Sequence, residues 1–228
     1  MPEGGNGLDL RIGWRTAFGK ANCIEGATWV SGPAVEWLID DMQMLGSAKQ
    51  LDEVCRTAKP SGLIVVPALA GFASPHWDAA ARGTAFGMHR HTSQADFVEA
   101  TVTGVAHTVV DLLDAISEVS GTTTTTLAVD GGLSQSDYLQ QMTADLLGVP
   151  VERTQNAGYV TAIGGAWIAG ISRGVWASKE DAAASRAIEA RFEPTMSDAE
   201  RSSRRDAWKD AVERSLNWRI RKGLHDEA

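Results

Sequence analysis

The stretch that decides the fold runs from Leu127 to Pro150 and reads LAVDGGLSQSDYLQQMTADLLGVP. Its apolar start, Leu127–Val129, favours a β-strand that ends in Asp130-Gly131-Gly132, and a helical pattern follows from about Ser136. Glycines at such a junction let a ligand approach the backbone, and the helix start directs free N–H groups at the same place. The stretch predicts a site for a nucleotide or another anion, or alternatively a tight turn whose glycines serve steric needs alone.

Strands alternate with helices along the rest of the chain, which is typical of an α/β protein with a mixed sheet. The strand at 63–66 and the Gly- and Ala-rich helix at 160–174 are both expected to be buried. Predicted helices cover 32–45, 49–58, 92–119, 136–147, 160–174 and 197–222, and predicted strands cover 23–30, 63–66, 84–88, 123–129 and 151–154.

Three further blocks stand in a fixed order with the DGG stretch. They are Glu25-Gly26 with Ser31-Gly32-Pro33-Ala34-Val35-Glu36-Trp37-Leu38, then Val66-Pro67-Ala68 through Ser74-Pro75-His76-Trp77-Asp78 to Ala81-Arg82-Gly83, and finally Val160-Thr161-Ala162-Ile163-Gly164-Gly165-Ala166. The four blocks together resemble the C-terminal half of the FGGY carbohydrate kinases, most closely the glycerol kinase group. The resemblance covers roughly residues 10 to 222 of the 228.

This resemblance implies an actin/hexokinase-like ATPase half, in which a ribonuclease-H-like mixed sheet is flanked by helices. It divides the chain into three parts. Residues 10–195 are expected to form the nucleotide-binding C-terminal kinase domain and residues 196–228 a C-terminal helix packed on that domain, while the glycines among residues 1–9 predict a flexible leader.

The resemblance also assigns nucleotide-binding positions. Gly32 and Gly132 match glycines that pack against the nucleotide, and Ser136 stands where an asparagine commonly helps to bind it. Glu36 falls where glycerol kinases usually carry a glutamine near the base. An ionised carboxylate can only accept hydrogen bonds, so this departure puts adenine recognition in doubt. The alternative for Glu36 is a solvated helix residue.

Asp130 and Gly131 belong to the same loop as Gly132. Asp130 either orients the nucleotide loop or serves as a helix N-cap or turn carboxylate. In the loop 68–83, His76 and Asp78 are too few for a metal site, and no metal is predicted. Arg82 is expected to tie that loop down through Asp78.

The catalytic aspartate and both phosphate loops of these kinases precede the matched region, and nothing in this sequence replaces them. No catalytic residue is therefore assigned. One interpretation is the ATP-binding half of a polyol or sugar kinase, which binds Mg-ATP weakly and needs a separate N-terminal half. The alternatives are a non-catalytic nucleotide-binding or interaction module, and a decayed kinase remnant.

Composition limits the partners further. A net charge of −8 argues against nucleic acid, and the sequence contains no apolar run of the ~20 residues that a membrane span needs. Two cysteines in a chain of this size, and a start (MPEGGNG) unlike a signal peptide, predict a reduced cytoplasmic protein. Trp29, Phe72 and Trp77 are candidates for an uncovered apolar face that promotes self-association or binding of an N-terminal half.

Overall fold

A 27-residue helix, α3 (Gln94–Ser120), lies at the centre of the helical layer. In the computed structural model, which describes residues 7–16 and 19–218, α3 contacts α1 (Gly32–Asp40), α2 (Leu51–Thr57) and α4 (Asp137–Leu147). Ser93 begins it with a capping box to Asp96, and Gly121 ends it in the left-handed conformation. One stripe of its side chains is buried in the main core, and this stripe contains Val98, Val102, Val105 and Val110.

The described strands form three small sheets. Two are antiparallel pairs, β1 (Asp9–Thr16) with β2 (Gly19–Glu25) and β3 (Ile64–Val66) with β4 (Thr84–Phe86). The third is mixed, because β6 pairs in parallel with β5 and antiparallel with β7, these strands being β5 (Leu127–Val129), β6 (Val151–Thr154) and β7 (Ile188–Phe192). The α/β class and the mixed pairing predicted from the sequence are confirmed.

Three helices follow α4 in the chain, α5 (Val160–Ser172), α6 (Lys179–Ala184) and α7 (Asp198–Ser215). Ser197 caps the start of α7, because its hydroxyl accepts a hydrogen bond from the Glu200 N–H. Trp208 of α7 is 1% exposed and lies in a second apolar cluster with Val66 and Phe72. Helix α7 is therefore joined to the rest of the domain by packing against β3 and its flanking loop.

Several predicted elements are too long, and for two of them the structure shows the cause. Helix α1 ends at Asp40 rather than 45, since the chain turns through Gln43 at a φ of 52°, and Leu45 reaches the core from an irregular segment. The strand predicted at 123–129 begins only at Leu127. Its partner β6 begins at Val151, after Pro150, so the preceding threonines have no strand to pair with.

The prediction of a buried helix at 160–174 is wrong about burial. The helix forms as α5, but none of its residues is buried. Three features were not predicted, namely the hairpin β1–β2, helix α6 and strand β7. The strand that was expected at 23–30 covers only the end of β2 and the turn after it.

Both chain ends differ in detail from the sequence expectation. Residues 1–6 of the proposed leader lie outside the described residues, and β1 already begins at Asp9. The tail helix, predicted over 197–222, ends at Ser215, and Asn217 adopts a φ of 55°. Residues 219–222 of that prediction lie outside the described residues.

Candidate nucleotide site

The Gly131-Gly132 turn joins β5 to a short 3₁₀ helix, Gly132–Gln135, that precedes α4. Gly131 has φ 79° and ψ −177°, a conformation that side chains disfavour, and its N–H donates to the Ala157 carbonyl over 3.3 Å. Glycine at this position is therefore required by the backbone, whether or not a ligand binds.

Gly132 and Gly32 differ from Gly131 in this respect. Neither has a positive φ, and a Cβ atom built on either would meet no atom within 4 Å. Neither the backbone nor the packing of the described residues requires glycine there. Both positions leave open space at the backbone, which fits the close approach of a ligand such as ATP.

Helix α1 and the start of α4 face the same core cluster. Ala34, Val35 and Leu38 of α1 are buried in it together with Leu139 of α4, and Leu133, which follows Gly132, packs against it. The turn before α1 is held by a hydrogen bond of 2.9 Å between the Thr28 and Ser31 hydroxyls. The fold thus brings the elements that carry Gly32 and Gly132 together on one core.

Asp52 of α2 caps the start of α4. The Asp52 carboxylate accepts hydrogen bonds from the Ser136 hydroxyl (2.5 Å) and from the backbone N–H groups of Asp137 (2.9 Å) and Tyr138 (3.3 Å). The Ser136 hydroxyl in turn accepts a bond from the Leu139 N–H over 3.1 Å. The helix start that the sequence assigned to an anion therefore already holds a carboxylate of the chain itself.

Asp52 was missed by the sequence reasoning. It lies 84 residues from Ser136 along the chain, and a spacing pattern cannot report a contact between two separate helices. A weak signal existed in the acidic pair at the start of α2, Asp52 and Glu53, but that pair also suits the positive end of α2 itself.

The other two predicted residues have exposed side chains. Glu36 lies on the solvent side of α1. Asp130 is exposed and makes no hydrogen bond or ion pair with the described residues, and no side chain caps the 3₁₀ helix that follows it. The alternative role of Asp130 as an N-cap is therefore not observed. Its position lines a cavity of about 380 Å³ with Thr154 and Asn156.

The SPHWD loop is braced differently from the prediction. Arg82 donates to the Ala79 and Ala81 carbonyls (2.8 and 2.7 Å) instead of pairing with Asp78. The Asp78 carboxylate accepts from the backbone of Asn217, Ala80 and Ala81, and these bonds, the Asn217 bond foremost, lower its pKa. The described residues contain no group of acidic, His or Cys side chains that could hold a metal ion.

The apolar face expected from this loop is present in part. Trp77 and Trp29 are 53% and 39% exposed and meet edge to face at 5.9 Å between ring centres. Phe72 is 4% exposed, so its assignment to the uncovered face is wrong. It is a core residue because it packs with Val66 and Trp208.

Comparison with known proteins shows the family of the chain. The model of the C-terminal domain of the FGGY family of carbohydrate kinases matches residues 15–173. The chain therefore belongs to the FGGY carbohydrate kinases and corresponds to their C-terminal domain, with an actin/hexokinase-like fold.

Among its relatives are glycerol kinases. That of Oleidesulfovibrio alaskensis is 37% identical over 214 residues, which are 93% of this chain and 43% of the relative. That of Deinococcus radiodurans is 38% identical over 93% of this chain and 42% of the relative. The crystal structure of Plasmodium falciparum glycerol kinase with ADP superposes with a TM-score of 0.85 at 26% identity, covering 92% of this chain and 42% of that one. The chain thus spans less than half the length of the glycerol kinases that it resembles.

Proposed function

We propose that this chain is the nucleotide-binding half of an ATP-dependent polyol or sugar kinase of the glycerol kinase type. In such an enzyme, bound ATP supplies the phosphoryl group that passes to a hydroxyl of the acceptor. This chain would hold the nucleotide, with Gly32 and Gly132 against it and the exposed Glu36 and Asp130 at the edge of the site. The support is the family, the relatives and the structure of a glycerol kinase with ADP.

The observation that carries the proposal is the open space at Gly32 and Gly132. Two glycines that neither the backbone nor the packing requires lie on elements that share one core. A ligand in contact with the backbone accounts for both.

Binding to this chain alone is expected to be weak, with a Kd of ~0.1 mM or above. The chain offers few donors to a phosphate, since Asp52 already occupies the start of α4. Each charge-assisted phosphate contact that is lacking costs about 1.5–3 kcal/mol. We expect the chain alone to transfer no phosphoryl group to glycerol or a pentose, because the family's catalytic aspartate has no counterpart in it.

Calorimetric titration with Mg-ADP tests the proposal, using Glu36→Gln as the informative variant. An amide restores the donor that glycerol kinases usually have there and removes one negative charge, so affinity should rise about two- to fivefold, or ~0.5–1 kcal/mol. Glu53→Gln on α2 is the matched control and should leave affinity unchanged. If titration with Mg-ADP gave no heat of binding for the wild-type chain or for either variant, the result would contradict the proposal.

A second candidate, an interaction module that binds no nucleotide, is favoured by the Asp52 contact. A carboxylate at the start of α4 repels phosphate, and Ser136 is fully engaged with it. The same titration separates the two functions.

We further propose that the protein is cytoplasmic. Both cysteines are free, and Cys55 is buried, which raises the pKa of its thiol to about 12 and keeps it unreactive. Among the described residues, no helix combines the length and the apolar character that a bilayer span demands. Secretion of the native protein with a Cys23–Cys55 disulfide would contradict this placement.

A further inference from the structure

A second cavity, of about 440 Å³, is lined by residues of α2, α3, α4 and α7 and by the segment 58–64. None of the predicted nucleotide-binding residues lines it. Its volume lies within the range of roughly 300–1,000 Å³ that is typical of small-molecule sites. The cavity is therefore large enough for a ligand of its own.

The carboxylate of Glu99 on α3 is held in the wall of this cavity. Its Oε1 accepts hydrogen bonds from the Tyr138 hydroxyl (2.7 Å) and the Thr103 hydroxyl (2.9 Å), and all three residues line the cavity. Within residues 7–16 and 19–218, no donor bonds to the second oxygen, Oε2. The two hydroxyls thus fix the carboxylate and leave one of its oxygens for a ligand.

Three titratable groups in the wall carry no positive charge that could balance Glu99. Burial, followed by the charge of Glu99, raises the pKa of the Cys55 thiol to about 12 and also raises the pKa of the Tyr138 hydroxyl. Burial lowers the pKa of His107 to about 4, so its imidazole is neutral at pH 7. A cationic group of a ligand would find an acceptor here that is not already paired with a cation of the described chain.

Two exposed basic residues, Lys59 and Arg204, line the same cavity. The Arg204 guanidinium is engaged by Glu200, at 3.0 Å from Nε and 2.9 Å from the terminal nitrogen. The Lys59 backbone N–H donates to the Asp96 carboxylate over 2.8 Å, while its ammonium group forms no ion pair within the described part of the chain. One cation and one carboxylate oxygen are therefore available to a ligand that carries both charges.

Much of the remaining wall is apolar and belongs to the core. Leu63 and Ala100 are 8% and 3% exposed and lie in one buried cluster. Trp208 is 1% exposed and stacks on His107. Because these side chains are already packed, a ligand orders few of them when it binds. Such a surface suits an apolar side chain of the ligand.

We propose that this cavity binds a free α-amino acid with an apolar side chain. The ammonium group of the ligand donates to Glu99 Oε2, its carboxylate pairs with Lys59, and its side chain lies against Leu63, Ala100 and Trp208. The inference goes beyond the proposed function and does not depend on it, because the two sites share no residue.

Saturation-transfer NMR on the full 228-residue chain tests the proposal, with L-phenylalanine as the probe. Two comparison compounds each lack one charge, namely 2-phenylethylamine without the carboxylate and 3-phenylpropanoate without the ammonium group. We expect a Kd of about 1 mM or below for L-phenylalanine and at least about threefold weaker binding of both comparison compounds. Absence of transfer to L-phenylalanine at about ten times that concentration would overturn the proposal.

Two charge variants test the contacts. Glu99→Gln keeps an oxygen that accepts from Tyr138 and Thr103 but removes the charge, so the affinity for L-phenylalanine should fall about tenfold or more. Glu53→Gln is the matched control and should leave the affinity unchanged. Lys59→Gln should weaken L-phenylalanine about two- to fivefold and leave 2-phenylethylamine as in the wild type. Unchanged affinity for L-phenylalanine in Glu99→Gln or in Lys59→Gln would overturn the proposal.

A matched pair of bulky substitutions on α7 tests the location. Ser203 and Ser202 are both exposed, but only Ser203 lines the cavity. Ser203→Trp should obstruct the cavity and abolish saturation transfer, whereas Ser202→Trp should bind L-phenylalanine like the wild type. Thermal unfolding checks that both variants are folded, as expected for changes at exposed positions. Retained binding in a folded Ser203→Trp chain would assign the ligand to another place and overturn the proposal.

Discussion

At the scale of single residues, adjacent glycines in the DGG turn have different physical roles. Gly131 is fixed by its backbone, with φ at 79°, while Gly132 has ordinary dihedrals and open space where a side chain would be. Sequence alone treats the two as one motif. The structure separates a glycine that folding needs from a glycine that a ligand could need.

Substitution by valine should therefore give opposite results at the two positions. We expect Gly132→Val to abolish detectable Mg-ADP binding while the free energy of unfolding changes by less than about 0.5 kcal/mol, as at a surface site. Gly131→Val should destabilise by about 1–3 kcal/mol, because a β-branched residue is forced to a positive φ. Calorimetric titration and urea unfolding measure the two effects.

Gly121→Ala supplies the control for that pair. Gly121 ends α3 in the left-handed conformation with open space around it, so its substitution should cost about 1 kcal/mol of stability and leave Mg-ADP binding unchanged. Retained binding in Gly132→Val would place the nucleotide elsewhere.

His107 makes a separate contribution at this scale. It is 5% exposed and stacks on Trp208 with ring centres 4.8 Å apart. Burial lowers the pKa of His107 to about 4; the charge of Asp111 opposes this shift, and the charges of Arg205 and Arg204 add to it. The unfolded chain, with an imidazole pKa near 6.5, binds the proton more readily than the folded chain. Stability should therefore fall as the pH drops from about 6.5 to 4, by roughly 3 kcal/mol from this group.

Urea unfolding between pH 7 and 4 measures this loss, with His107→Phe as the comparison. Phenylalanine keeps an aromatic ring against Trp208 but cannot take up a proton, so the difference in stability between variant and wild type should move in favour of the variant as the pH falls. A difference that stays constant over this range would show that His107 does not titrate as described.

At the scale of elements, the junction of α2 with α4 links stability to ligand binding. Asp52 satisfies two backbone N–H groups of α4 and the Ser136 hydroxyl, so it acts as a cap supplied by another helix. A negative charge at that place stabilises α4 and at the same time excludes an anion from it.

Asp52→Asn should lower stability and raise the affinity for Mg-ADP. We expect a loss of about 1–2 kcal/mol in the free energy of unfolding, because charged acceptors are replaced by a neutral amide. Glu53→Gln, one residue further along α2 and exposed, is the control and should change neither quantity. Lower stability with unchanged affinity would show that the start of α4 is not part of the nucleotide site.

At the scale of the whole molecule, the domain is well packed on one side and uncovered on another. The core joins α1, α2, α3 and α4, while the β1–β2 hairpin, α5 and the Trp29–Trp77 pair carry exposed apolar side chains. Such surface on one molecule favours association.

The chain alone is accordingly expected to self-associate at micromolar concentration, which sedimentation velocity measures directly. Replacing both Trp29 and Trp77 by glutamine should shift the population towards monomer, since this removes the exposed aromatic pair. Trp218→Gln, at another exposed tryptophan (56%), should have little effect. A wild-type chain that sediments as a strict monomer would contradict the expectation.

The local sequence determined the family and the elements whose patterns are complete in themselves. These include α3 with its valine stripe, the turn at Gly131 between β5 and α4, and strand β6, whose predicted range matches the observed one. Propensity, capping and periodicity act between residues a few positions apart, and the sequence displays them directly.

The tertiary structure decided what depends on neighbours distant in the chain. Strand β5 begins where β6 begins, and Phe72 is buried because β3 and α7 cover it. No residue of α5 is buried, because the described elements, α6 among them, cover this helix only in part. Asp52 reaches the start of α4 from another helix. Strand pairing, burial and the capping of a helix start by a carboxylate each need a second part of the chain close by. Only the folded chain brings that part into position.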